Sequence, residues 1–176
     1  SACHILAAYQ PSLLPMYRMQ WQHPVALTRH PQVSPLGPEH AAHVKALIAP
    51  SFAADEAIDG FDPAQMQAHT FVGVWQAGEL IGVAGTHVVD PDHSSAAIGN
   101  VYVRPQFRGQ GWGRALTAAV LLELQRRGLE NIVLNVKQSN RAAIQVYTQL
   151  GFEIYCPFAE GEIVLSPDRI KRTALI

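Results

Sequence analysis

Two cysteines, Cys3 and Cys156, are too few to staple a fold. With no secretory signal in the chain they read as free thiols in a reducing, cytoplasmic setting. Charge is also scarce. Only 15% of the 176 residues are charged, and the formal net charge is −1, so no basic surface points to nucleic acid or to an anionic membrane. No apolar run approaches the roughly 18 residues that would span a bilayer. There are eight histidines, yet His40 and His43 form only an i, i+3 pair with no third ligand in view, so no metal is expected. What is plentiful is hydrophobic residue, 48% of the chain, enough for the sizeable core of one domain.

Residues 1–32 carry four of the twelve prolines (Pro11, Pro15, Pro24, Pro31) among Gln and His, and Pro35 and Pro38 follow closely. They read as an extension, or the remnant of a preceding domain, with a short strand over 21–28 broken at Pro24. The chain begins at Ser1 rather than Met, which leaves room for such a domain ahead of it. A domain over residues 33–165 and a tail over 166–176 complete the division. Pro38-Glu39 opens a helix with Val44, Leu47 and Ile48 on its buried side, and Asp62-Pro63 opens a shorter one through His69. Residues 71–75 and 80–89 form a hairpin around Ala77-Gly78, and residues 97–103 continue an antiparallel meander.

The meander leads into Arg108-Gly109-Gln110-Gly111-Trp112-Gly113, and then into an amphipathic helix with Leu116, Val120, Leu121 and Leu124 on one side. Arg126-Arg127-Gly128 stops that helix. The strand 131–137 follows a crossover helix and therefore pairs parallel to 97–103. A helix over 140–150, a strand over 153–158 and a returning strand over 161–165 finish the domain. The fold class is mixed α/β, with an antiparallel first half and one parallel crossover.

A strand–glycine turn–helix aims backbone N–H groups and a helix N-terminus at one point, which suits a phosphate. A nucleoside-triphosphate loop would need Lys-Ser/Thr where Arg114-Ala115 stands. A dinucleotide fingerprint would need Gly-x-Gly-x-x-Gly straight after the first strand of a parallel array, and here a meander precedes Gly-x-Gly-x-Gly.

Arg108-x-x-Gly111-x-Gly113 resembles the acyl-CoA pyrophosphate loop of the GNAT superfamily of N-acetyltransferases. Asn140-x-x-Ala143-x-x-x-Tyr147-x-x-x-Gly151-Phe152 resembles a second segment of the same family. The run Ile98-Gly99-Asn100-Val101-Tyr102-Val103-Arg104-Pro105, with Leu134-Asn135-Val136, is similar to the branch near the glycine N-acyltransferase-like enzymes. The resemblance covers residues 70–158, is weaker over 33–69 and does not reach 1–30.

It implies a mostly antiparallel sheet whose fourth and fifth strands splay to admit acyl-CoA. It implies an N-acetyltransferase using acetyl-CoA and no metal, with a possible homodimer from the family's tendency. The acceptor would be a primary amine of a small molecule, an amino acid or a peptide. A non-catalytic acyl-CoA-binding module is the competing reading.

On this reading Gly109, Gln110, Gly111 and Gly113 cradle the pyrophosphate. Arg108 pairs with a phosphate oxygen, and Arg114 adds charge at the loop edge. Solvated surface is the alternative for both arginines, more so for Arg114, and Trp112 in the same loop suits packing better than recognition. The edge of Val101, Tyr102 and Val103 binds the amide arm, and an N–H near Val101 faces the oxyanion. Asn140, beside Ala143, contacts the arm or caps its helix. Tyr147 donates to the leaving thiolate, or is a buried structural tyrosine. The family's fourth-strand base has no counterpart among residues 96–100. His87 on the preceding strand is the nearest substitute, ahead of His93 and Glu160; each is more readily a solvated surface residue or a cap, and a water chain to bulk is a further alternative.

Overall fold

The alternation expected of residues 71–103 becomes a three-strand meander in the computed structural model, which describes residues 12–23, 25–53 and 61–162. In chain order the elements are β1 (Ser12–Trp21), β2 (Val33–Pro35), a 3-10 turn at Pro38–His40 and α1 (Ala41–Ala53). Next come α2 (Gln65–Ala68), β3 (Phe71–Gln76), β4 (Glu79–Asp90), β5 (Ser95–Val103), a 3-10 turn at Pro105–Phe107 and α3 (Trp112–Arg126). The last are β6 (Asn131–Lys137), α4 (Arg141–Gln149) and β7 (Phe152–Glu162). The strands form one sheet in the order β2-β3-β4-β5-β6-β1-β7. The β5–β6 pair is parallel and the other pairs are antiparallel.

The pleat sends neighbouring residues to opposite faces, and two apolar clusters result. Leu80, Val83 and Tyr102 pack with Val44, Leu47 and Ile48 of α1 and Met66 of α2. Ile81, Ala84 and Val103 pack with Leu116, Val120, Leu121 and Leu124 of α3 and with Tyr147 of α4. The β3–β4 hairpin turns at Ala77 and Gly78, both in the left-handed region as the two-residue connection requires.

The N-terminal stretch departs from expectation. The strand is Ser12–Trp21 and not 21–28, and it lies between β6 and β7, antiparallel to both. Residues drawn from the supposed extension thus sit inside the same sheet as residues 33–162. The register shifts between Arg18 and Met19, so the buried Met16, Met19 and Trp21 do not keep period two. Pro15 ends the β6 ladder, where its missing N–H is not needed, and its carbonyl accepts from the Gln138 N–H at 3.0 Å.

Smaller differences follow the same logic of local geometry. The helix begun at Pro38 is a 3-10 turn before α1 proper. The one from Asp62 is short, Gln65–Ala68, preceded by a turn in which Asp62 Oδ1 accepts the Ala64 N–H at 2.9 Å. Gly161 belongs to β7 rather than to a returning strand. Residues 163–165 and the tail 166–176 lie outside the described residues. Among the described residues, no helix is long and apolar enough to cross a membrane.

Candidate active site

β5 and β6 are paired from Ser95 and Asn131 only as far as Ile98 and Leu134, yet both strands continue, to Val103 and to Lys137. Each keeps a ladder on its outer edge. β4 holds Tyr102 and Val103, and β1 holds Asn135, Val136 and Lys137. The facing edges therefore diverge, and backbone groups there can receive an extended ligand as an added strand.

At the crotch of the divergence β5 bulges. Gly85 faces Gly99 and Val83 faces Tyr102, so Asn100 and Val101 stand opposite Ala84. Asn100 has φ +53°, a left-handed conformation that Asn tolerates better than other side chains. It is only 2% exposed. Its Nδ2 is 3.4 Å from Gln65 Oε1 on α2, while Oδ1 is buried with no hydrogen-bond partner among the described residues. Sequence reasoning passed over Asn100 while looking for a base. The available signal was a Gly-Asn pair inside an otherwise apolar strand. His87 on β4 is half-buried, and its ring lies over Gly99, where any Cβ would overlap Cδ2 and Nε2.

The glycine turn sits at the open end. Gly111 is the N-cap of α3 with φ +84°, and the Ala115 N–H makes the first helical bond to its carbonyl at 3.0 Å. The N–H groups of the first turn point out of the helix beside the positive end of its dipole. A Cβ added at Gly109, Gly111 or Gly113 would meet nothing within 4 Å, so the space off these three Cα atoms is open. Gln110 and Arg114 are exposed.

Arg108 is turned back. Its Nε donates to the Val103 carbonyl at 3.0 Å, and its guanidinium lies 5.5 Å from the centroid of the Tyr102 ring. Through Nε it braces the end of β5, while the sequence reading assigns the same guanidinium to a phosphate oxygen. Trp112 packs edge-on against His30, with ring centroids 5.0 Å apart.

On α4, Asn140 Oδ1 accepts the Ala143 N–H at 3.1 Å, which makes it the N-cap. Ala143 and Ile144 are half-buried against the main cluster. Tyr147 is 7% exposed and meets Phe152 edge-on. Burial pushes its phenol up to about 12, so it is a proton donor at any ordinary pH.

The other candidates are not brought to the crotch. His93 is bound to Asp90 Oδ2 at 2.8 Å in the β4–β5 turn, at the closed end of the β5–β6 pair. Glu160 stands opposite Leu14 on β7, with β1 between it and β6. His40 and His43 flank Trp75. Among the described residues, no three His, Cys, Asp or Glu side chains gather as a metal ion needs.

The geometry has relatives. Residues 41–152 match the family model described as the acetyltransferase (GNAT) family. A mycothiol acetyltransferase of Thermobispora bispora is 42% identical over 96 residues, 52% of this chain but 31% of that protein, so the match spans about a third of its length. Among solved structures, a GNAT-family protein from Novosphingobium aromaticivorans superposes with a TM-score of 0.72 at 24% identity, covering 85% of this chain and 64% of its own. The ribosomal-protein-S18-alanine N-acetyltransferase of Escherichia coli superposes with a TM-score of 0.55 at 22% identity, over 77% of this chain and 96% of its own. The splayed parallel pair, the open glycine turn at a helix start and the matched residues agree: this chain belongs to the GNAT family of acetyltransferases.

Proposed function

We propose that this domain transfers the acetyl group of acetyl-CoA to a primary amine of a small molecule, an amino acid or a peptide N-terminus, by direct attack and without a covalent enzyme intermediate. The observation that carries this reading is the divergence of β5 and β6 past Ile98 and Leu134, running from the bulge at Asn100 to the start of α3. The open space over Gly109, Gly111 and Gly113 fits a diphosphate close to backbone N–H groups.

Acetyl-CoA supplies the acyl group as a thioester. The first-turn N–H groups of α3 hold its phosphates. The β5 edge at Val101, Tyr102 and Val103 aligns its amide arm, and Asn140 offers Nδ2 to the arm while Oδ1 caps α4. A backbone N–H at Val101 donates to the carbonyl oxygen on which charge develops, a contact that strengthens toward the transition state. Tyr147 donates its proton toward the leaving sulfur. A thiol of pKa about 8.5 leaves readily when a phenol stands beside it.

The acceptor must lose a proton first. An alkylammonium of pKa about 10 is only about 0.1–1% neutral near pH 7–8, a deficit of roughly 3–4 kcal/mol. Asn100 Oδ1, buried without a partner, takes an N–H of the amine, and His87, beside it over Gly99, takes the proton directly or through water. One relative is named for mycothiol and one structural neighbour for a ribosomal-protein alanine, which supports a wide acceptor class without choosing within it.

The test is calorimetric titration with acetyl-CoA, free CoA and a dinucleotide, followed by a panel of amines with thiol release as the readout. Binding of both CoA species and acylation of at least one amine is expected. Failure of either CoA to bind, or a preference for the dinucleotide, would overturn the reading.

A further inference from the structure

β6 alternates cleanly. Ile132, Leu134 and Val136 are buried in the cluster with α3, so the pleat turns Asn135 to the other face of the sheet. That is the face on which Asn100 meets Gln65 of α2. Asn135 is the first residue of β6 past its last partner on β5, so it stands at the mouth of the divergence. Arg18 of β1 lies opposite it. The Arg18 Nε donates to Asn135 Oδ1 at 3.2 Å, and the guanidinium lies 5.5 Å from the centroid of the Phe158 ring on β7. An amide oxygen on one side and an aromatic ring on the other hold the fork in place. Its Nη1 and Nη2 make no hydrogen bond and no ion pair with the described residues.

Two unmet groups thus share one face of the divergence. Asn100 Oδ1 is a buried acceptor on the β5 side, and the outer edge of the Arg18 fork is a cation on the β6 side. An amine N–H satisfies the first. A carboxylate satisfies the second, its two oxygens matching the two Nη donors. Held against Asn135, the guanidinium lies one strand spacing, ~5 Å, from the gap between β5 and β6 where thioester and amine meet. That separation suits a short zwitterion, with amine and carboxylate on the same or adjacent carbons. We propose that Arg18 binds a carboxylate of the acceptor, which makes the acceptor a free amino acid rather than a peptide N-terminus or an uncharged amine. This assignment rests on the acetyl-transfer reading above and chooses within its acceptor class. The cation comes from the stretch that reads, in sequence, as an extension, and the insertion of β1 between β6 and β7 brings it to the site.

The test measures kcat and KM with acetyl-CoA for a panel of amino acids and for the matching amino-acid amides, in the unaltered chain and in Arg18→Ala, Arg18→Gln and Arg18→Lys. Each amide keeps the amine and loses the carboxylate charge. At least one free amino acid should be acetylated by the parent. Arg18→Ala and Arg18→Gln should raise its KM by about tenfold or more, the scale of a hydrogen bond to a charged group, and leave kcat/KM for the amide within about twofold. Arg18→Lys should recover part of the loss. Acetyl-CoA affinity, read by calorimetry, should be the same in all four proteins. Arg18 is exposed, and thermal melts of the variants should match the parent. An equal loss for amino acid and amide in Arg18→Ala, an unchanged KM in that variant, or acetylation confined to amines without a carboxylate overturns the assignment and leaves the acetyl-CoA reading intact. Failure of the parent to bind acetyl-CoA, or to acetylate any amine, overturns both.

Discussion

The indole Nε1 of Trp21 donates to the carbonyl oxygen of Leu150 at 2.8 Å, a buried bond between residues 129 positions apart. It ties the end of β1 to the end of α4, the helix that carries Tyr147. The Gln22 and His23 N–H groups donate to the neighbouring Gly151 carbonyl at 3.0 and 3.1 Å, and Gly151, with φ +94°, has no room for a Cβ against the His23 carbonyl. Residues 12–23 are thus built into the frame of the site. Trp21→Phe keeps most of the packing but strands a buried carbonyl. It should cost about 2 kcal/mol and lower Tm by roughly 4–8 °C, read by a thermal melt. A melt unchanged from the parent would show that this bond adds nothing.

Asn100 separates backbone from side chain. Asn100→Gly keeps the left-handed conformation at the bulge, whereas Asn100→Ala should lose about 1–2 kcal/mol to strain. If the amide holds the acceptor, both variants raise KM for the amine by about tenfold, the value of one hydrogen bond of roughly 1.4 kcal/mol, and leave acetyl-CoA affinity alone. A glycine variant with parental kinetics would assign Asn100 to the bulge only.

Tyr147→Phe removes one oxygen from a buried ring and should lower kcat by roughly 100-fold or more with little change in acetyl-CoA affinity. Parental turnover in this variant would remove the phenol from the mechanism.

The same residue marks the alkaline limit of the fold. The folded phenol keeps its proton up to about pH 12, while in the unfolded chain it ionises near pH 10. Between those values the unfolded state binds fewer protons, so stability falls as pH rises, by roughly 3 kcal/mol in total from this group. Denaturant titrations at pH 9.5 and 11.5 should show the drop in the parent and a smaller one in Tyr147→Phe.

Asn140 can be tested the same way. Asn140→Ala loses the cap of α4 and should cost about 1 kcal/mol. Asn140→Asp keeps the capping oxygen but replaces the Nδ2 donor. It should melt like the parent while binding acetyl-CoA more weakly, and equal binding would confine Asn140 to capping.

Much of the site is legible in the chain because its chemistry is local. The glycine turn before α3, the hairpin at Ala77-Gly78, the buried face of Leu116, Val120, Leu121 and Leu124, and the parallel partner of β5 each follow from neighbouring residues. Tyr147 is singled out by the resemblance of the segment from Asn140 to Phe152. β1 is not legible in this way. A bulge at Arg18 and Met19 scrambles its alternation, and nothing nearby says that it fills the place between β6 and β7. Arg108 is plain as a residue, but its direction depends on the Tyr102 ring beneath it.

The residues alone determined which segments become helix or strand around the loop, and that the glycine turn would sit at a helix start, since helix starts, glycine turns and apolar periodicity act over a few positions. Only the tertiary structure decided where β5 and β6 part, that Asn100 stands in the bulge opposite Ala84, and that His30 comes to lie edge-on to Trp112. Those relations join residues tens of positions apart, and they are set by ladder register and by what each side chain meets when the layers close.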